Sequence, residues 1–81
     1  MLFNGSEELV VISNDGTRSA LKSCRIDNEE TIFTSDSTDG VSIGDRLIKK
    51  LQNGSNREYL VKSVKDGVNM FGHREIRVQQ I

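Results

Sequence analysis

An Asn53-Gly54 pair between two aliphatic stretches is the feature that most constrains how this chain can fold. Both stretches lie within residues 44–64. Asn and Gly adopt positive φ more readily than other residues, and a type I′ turn requires positive φ at both central positions. The pair therefore predicts a β-hairpin closed by a two-residue type I′ turn.

The rest of the chain reads as further short strands separated by polar turns. The predicted strands cover residues 9–12, 17–26, 31–34 and 73–81, with turn clusters at residues 13–16 and 27–30. Within residues 17–26, alternation predicts one face made of Ala20, Lys22, Cys24 and Ile26. Proline and internal repeats are absent. The pattern predicts an all-β fold, a small antiparallel barrel or sandwich of about six strands over residues 9–81, preceded by an arm over residues 1–8.

Composition narrows the class of protein. The chain has 81 residues, of which 35% are hydrophobic, so its core is thin and association with a partner is a natural way to bury more surface. Its net charge of −1 gives no bulk electrostatic reason to bind nucleic acid or an anionic membrane. The sequence has no apolar run near the ~20 residues of a membrane helix. Cys24 is the only cysteine, which excludes an intramolecular disulfide or a cysteine-based zinc cluster.

No residue pattern indicates catalysis or a cofactor. His73 is the only histidine, and no nucleophile motif accompanies it, so a structural role is expected. Asp36, Asp39 and Asp45 lie around a glycine, but a calcium-loop pattern would need further acids where serine and Arg46 stand. We therefore predict a protein that is not an enzyme and uses no metal, cofactor or small-molecule substrate.

The core is expected to come mainly from the second half of the chain. The predicted core residues are Leu47, Ile48, Leu60, Val61, Val64, Ile76 and Val78, with Val11, Ile32 and Phe33 from the first half. Cys24 is expected to be a small buried residue.

Two groups of residues are candidates for contact with a partner. In the arm, Leu2 and Phe3 precede a flexible Gly5-Ser6 link, and they either anchor a neighbouring subunit or fold back on their own barrel. On the central hairpin, basic side chains lie near two aromatic residues that could stack on bases. Solvated lysines and a Tyr59 ring that caps the core explain the same residues without a ligand. The candidates of the hairpin group are Lys49, Lys50, Arg57, Tyr59 and Phe71.

The hairpin region resembles small β modules of uncharacterised bacterial and prophage proteins. The likeness rests on residues 41–54 (VSIGDRLIKKLQNG), on residues 58–61 (EYLV) and on the earlier turn at residues 15–18 (DGTR). Gln52 stands where those modules have proline. A looser resemblance, to head–tail joining proteins of tailed phages, rests on the Gly44-Asp45 turn and residues 61–64 (VKSV). It implies a structural role in a ring between capsid and tail, and neither resemblance brings catalytic residues.

Together these observations predict a protein-interaction or assembly module that works through a protein partner or self-association. Its expected location is the cytoplasm of a bacterial host or a virion. The alternative is a small nucleic-acid-binding barrel that uses the basic hairpin. Salt dependence separates the two, because phosphate contacts weaken steeply with salt whereas an aliphatic interface changes little.

Overall fold

The computed structural model describes residues 7–65, 67 and 72–81, which form strands and turns without a helix. The strands are β1 (Glu7–Ile12), β2 (Arg18–Asp27), β3 (Thr31–Thr34), β4 (Arg46–Lys50), β5 (Asn56–Val64) and β6 (Arg74–Gln80). β1 begins inside the predicted arm, so Glu7 and Glu8 belong to the barrel. Within the described residues, no helix has the length and apolarity needed to cross a membrane.

The six strands close into an antiparallel barrel in the order β1-β2-β3-β6-β5-β4. Strands β1 to β3 form one meander and strands β4 to β6 another, and residues 35–45 connect them. The barrel closes where β1 pairs with β4 and where β3 pairs with β6. The predicted all-β barrel is confirmed, and closure pairs strand edges that a small open sheet would expose.

The two meanders repeat one pairing pattern, although the sequence shows no repeat. Two cross-strand pairs of the first meander have counterparts at matching positions of the second: Leu9–Leu21 with Leu47–Tyr59, and Ile26–Ile32 with Val64–Ile76. Equivalent residues also meet where the meanders join, because Val10 pairs with Ile48 and Ile32 pairs with Ile76. An approximate two-fold axis therefore passes through both joins, without a matching repeat in the sequence.

The core lies inside the barrel and draws on both meanders. Its buried hydrophobic residues are Leu9, Val11, Leu21, Cys24, Ile32, Val41, Leu47, Tyr59, Val61, Ile76 and Val78. The burial predicted for Ile48 is confirmed, at 8% exposed, although its side chain lies outside the core cluster. The prediction was wrong for Leu60 and Phe33, which face outward and are half-buried. Leu60 and Phe33 each lie next to an inward residue of a strand whose side chains alternate, so they point to the outside of the barrel.

A β-bulge in β2 changes which of its residues face the core. The register against β1 shifts between the pairs Glu7–Cys24 and Leu9–Leu21, and Ser23 has a φ of 55°. The bulge brings Leu21 and Cys24 inside and leaves Ala20 and Lys22 exposed. The predicted face of Ala20, Lys22, Cys24 and Ile26 is therefore wrong for its first two members, because one extra residue interrupts the alternation. The burial predicted for Cys24 is confirmed.

The hairpin between β4 and β5 is confirmed, but its turn type is not the predicted one. Leu51 O accepts a hydrogen bond from Gly54 N at 3.1 Å, and Leu51 N donates to Ser55 O at 2.8 Å. Residues 52–54 therefore form a three-residue loop, in which Gly54 alone has positive φ, at 89°. Asn53 uses its side-chain oxygen to accept hydrogen bonds from Ser55 N and Ser55 Oγ at 3.0 and 2.6 Å. An Asn-Gly pair is thus compatible with a three-residue loop that ends in a left-handed glycine as well as with a type I′ turn.

Candidate protein-interaction groove

Four aliphatic side chains lie on the outside of the barrel, across β1, β4 and β5. We call them the outer strip: Val10, Ile12, Ile48 and Leu60. They alternate along their strands with core residues such as Val11, Leu47 and Val61, so the barrel turns them outward. Ile48 is nevertheless only 8% exposed and lies outside the core cluster, whereas the other three are half-buried. The three half-buried side chains leave part of an aliphatic surface open to solvent on the outside of the barrel, beside the buried Ile48.

At one end of the outer strip the join between β1 and β4 opens into a groove. The two strands pair over only three residue pairs, from Val10–Ile48 to Ile12–Arg46. Beyond them the groove has a volume of about 350 Å³. We call it the seam groove, and its lining residues are Glu7, Glu8, Val10, Ile48, Lys49 and Lys50. Val10 and Ile48 supply its apolar floor, and the charged residues supply its walls.

Some of the charged side chains around the groove are held in ion pairs and others are not. Lys49 Nζ lies 2.8 Å from Glu7 Oε1, and Arg46 Nη1 lies 3.2 Å from Glu58 Oε2. Lys50 and Arg18 are exposed and, in residues 7–65, 67 and 72–81, neither belongs to an ion pair. Arg18 pairs across strands with Ile12 of the strip. The aliphatic surface is thus flanked by two cationic side chains that no carboxylate of the described residues neutralises.

A polar network closes the barrel at the same end. Arg57, which pairs across strands with Lys49, donates from Nη1 to Glu29 Oε1 at 3.0 Å. The Tyr59 hydroxyl donates to Glu29 Oε2. Burial, followed by this hydrogen bond, raises the pKa of Tyr59 to about 12. The Tyr59 hydroxyl and then the Glu29 charge raise the pKa of Arg57.

The backbone of the β2–β3 turn presents Glu29 to this network. Asn28 and Glu29 both have positive φ, 52° and 58°, and Glu30 N donates to Asp27 O at 3.1 Å. Positive φ at both central residues is the type I′ pattern predicted for the other hairpin. Glutamate rarely adopts positive φ. Its two side-chain contacts offset that cost, and we assign the network a structural role at the barrel end.

The sequence-derived candidates separate into three groups. Lys49 and Lys50 line the seam groove, Arg57 is paired with Glu29, and the Tyr59 ring is fully buried. The Tyr59 ring therefore caps the core and offers no face to a nucleic-acid base. Leu2, Phe3 and Phe71 lie outside the described residues.

Other polar residues singled out in the sequence hold the fold. Asp36 Oδ2 accepts a hydrogen bond from Lys22 N at 3.0 Å and Asp36 Oδ1 accepts one from Ser37 N at 2.8 Å, and these bonds lower the pKa of Asp36. Asp45 accepts a hydrogen bond from Ser42 N at 2.8 Å. His73 is buried with its ring edge-on to Phe33, at a centroid distance of 5.2 Å. Among the described residues, no three His, Cys, Asp or Glu side chains are grouped to hold a metal.

The groove itself was missed in the sequence because it forms between strands distant in the chain. One signal was present: residues 9–12 (LVVI) are aliphatic throughout, yet alternate residues of a strand in a closed barrel face outward. The run therefore required outward aliphatic residues. Its partner across the seam, β4, was not predictable from local pattern.

Known proteins supply no relative for this chain, since no protein-family model, curated protein or solved structure matches it. The function proposed below accordingly rests on the groove and its charges.

Proposed function

We propose that this protein is a non-enzymatic protein-interaction or assembly module that binds its partner through the outer strip and the seam groove. The observation that carries the proposal is the Val10–Ile48 pair. It forms an apolar floor to the groove, outside the core cluster of the barrel. Protein interfaces place such a buried apolar centre inside a charged rim. A nucleic-acid partner would instead favour exposed aromatic residues and a continuous basic track.

The N-terminal arm forms the second part of the proposal. The chain enters β1 at Glu7, which lines the seam groove. In the proposal, Leu2 and Phe3 add apolar contact with a neighbouring subunit or partner. A phage or prophage setting, in the cytoplasm of a bacterial host or in a virion, is also proposed, and it rests only on the motif resemblance of the hairpin.

The experiment compares a substitution in the groove floor with a matched substitution elsewhere. Binders are selected from a displayed library of peptides and small protein fragments, using the full chain as bait. Each is then measured against Val10→Glu and against Ile43→Glu. Ile43 is 66% exposed and lies in the turn before β4, so its variant makes the same change outside the groove. Circular dichroism is used to check that both variants fold before binding is measured.

We expect binders whose affinity falls at least tenfold with Val10→Glu and is unchanged with Ile43→Glu. Binders whose affinity is the same for wild type and for both variants would contradict the proposal. Deletion of residues 1–5 tests the arm: weaker binding at an unchanged melting temperature supports it, whereas a lower melting temperature with unchanged binding assigns the arm to its own barrel. A single-stranded oligonucleotide whose binding weakens steeply with salt would favour the nucleic-acid alternative.

A further inference from the structure

We infer that the segment seated in the seam groove is an acidic polypeptide: an aliphatic side chain rests on Val10 and Ile48, and neighbouring carboxylates reach Lys50 and Arg18. This inference rests on the proposed function and adds the chemistry of the partner.

The floor of the groove defines the anchor. Val10 and Ile48 carry only hydrocarbon, and the groove volume of about 350 Å³ accommodates one or two aliphatic side chains. A polar anchor would lose its hydrogen bonds to water there without replacement, because Val10 and Ile48 offer its side chain no donor or acceptor. A Leu, Ile or Val side chain would exchange water for contact with the floor instead.

The rim defines the charge. Lys49 is held by Glu7 and Arg46 by Glu58, so these four charges are largely satisfied within the face. Among the described residues, the cations Lys50 and Arg18 belong to no ion pair. Glu8 is the acidic residue of the groove that likewise belongs to none in this part of the chain, so two cations stand against one acid. The face is therefore more positive than the whole chain, whose net charge is −1. Charge complementarity of this kind selects partners and increases the rate of encounter.

The same charges argue against the other occupants. A second copy docked by the same face would bring two Lys50 and two Arg18 side chains into one interface, with only the two Glu8 carboxylates of the groove, among the described residues, outside ion pairs to balance them. A nucleic acid would satisfy the cations but would leave the aliphatic floor without a suitable partner, because the Tyr59 ring is buried. A partner that is both acidic and aliphatic satisfies floor and rim together.

The test uses a displayed library of random twelve-residue peptides, with the full chain as bait. Enriched peptides are sequenced, and the tightest is measured against wild type, Lys50→Glu, Arg18→Glu and Arg77→Glu. Arg77 is exposed on β6, on the side of the barrel opposite the groove, so Arg77→Glu makes the same charge change without touching the rim. Val10→Glu reports whether the peptide occupies the groove. The expected result is enrichment of aliphatic residues flanked by Asp and Glu, with about tenfold weaker binding to Lys50→Glu and unchanged binding to Arg77→Glu.

The outcomes separate this inference from the proposed function. Peptides that depend on Val10 but are neutral or basic, or that bind Lys50→Glu as well as wild type, would overturn the acidic partner and leave the interaction surface standing. The same conclusion would follow if light scattering showed a dimer that Val10→Glu dissociates, since a second copy would then be the occupant. Absence of any peptide that depends on Val10 would overturn both. Oligonucleotide binding that depends on Lys50 but not on Val10 would also overturn both.

Discussion

Leu60 and Val61 are adjacent in β5, and we predict that the smaller truncation will be the more damaging one. Val61 is 1% exposed and belongs to the core cluster, whereas Leu60 faces outward and is half-buried. Val61→Ala removes two buried carbons, at about 0.8 kcal/mol each, and leaves a cavity. We expect a loss of about 2–3 kcal/mol in the free energy of unfolding. Leu60→Ala removes three carbons, but they are partly hydrated and leave no closed cavity, so we expect a loss of about 1 kcal/mol.

The assay is urea denaturation followed by circular dichroism, with thermal melts as a second measure. For a domain of this size each kcal/mol shifts the melting temperature by roughly 4–8 °C, so Val61→Ala should melt roughly 10–20 °C below wild type. Leu60→Ala should melt only about 5 °C lower. Both variants place alanine in the same strand, and Val61→Ala also loses a β-branched residue, which favours strands and adds roughly a few tenths of a kcal/mol to its loss. A Leu60→Ala loss equal to or larger than that of Val61→Ala would show that the inward and outward faces of β5 are assigned the wrong way round.

Three further predictions follow from particular contacts. The pKa of Tyr59 is raised to about 12 in the folded state, above the unfolded value of about 10. The neutral hydroxyl therefore stabilises the fold fully below pH ~10, and this stabilisation is lost as the pH rises towards 12. In thermal melts, a Tyr59→Phe variant should lose less stability than wild type between these two pH values. Gly54 has a φ of 89°, and no atom lies within 4 Å of the position that a Cβ would take there, so Gly54→Val should cost about 1–2 kcal/mol of stability through backbone strain alone. Asn53→Ala removes only side-chain hydrogen bonds and should cost about 1 kcal/mol or less. Equal losses for the two variants would support the two-residue type I′ turn instead of the three-residue loop. Burial raises the pKa of the Cys24 thiol to about 11, so a thiol reagent should modify the native protein only at the rate of unfolding; rapid modification under native conditions would contradict its burial.

The features that depend on residues close together in the chain could be predicted from the sequence. The Asn53-Gly54 pair identified the central hairpin, and the polar cluster at residues 13–16 identified the first one, because turn residues act over a few positions. The strand boundaries followed from aliphatic runs between such turns. The turn type did not follow, since Asn53 has a second use for its side chain, as an acceptor for Ser55.

Features that depend on distant residues were not predictable. The bulge at Ser23 reversed the expected face of β2 for Ala20 and Lys22 only, and it becomes visible only once β1 is paired beside it. Ile48 is buried as expected, but the sequence did not show that it pairs with Val10 of a distant strand and lies outside the core cluster. Glu29 showed no signal, because its contacts with Arg57 and Tyr59 join a turn to a strand from the other meander.

The most direct test of the proposed surface is a methyl-region NMR titration of the Leu-, Ile- and Val-labelled protein with the tightest selected binder. We expect the shifted methyl resonances to belong to Val10, Ile12, Ile48 and Leu60, the members of the outer strip. Methyl groups on the opposite join of the barrel, such as those of Ile32 and Ile76, should keep their positions. Shifts centred on Ile43 or Ile81, with Val10 and Ile48 unchanged, would contradict the claim that this protein binds its partner at the seam groove.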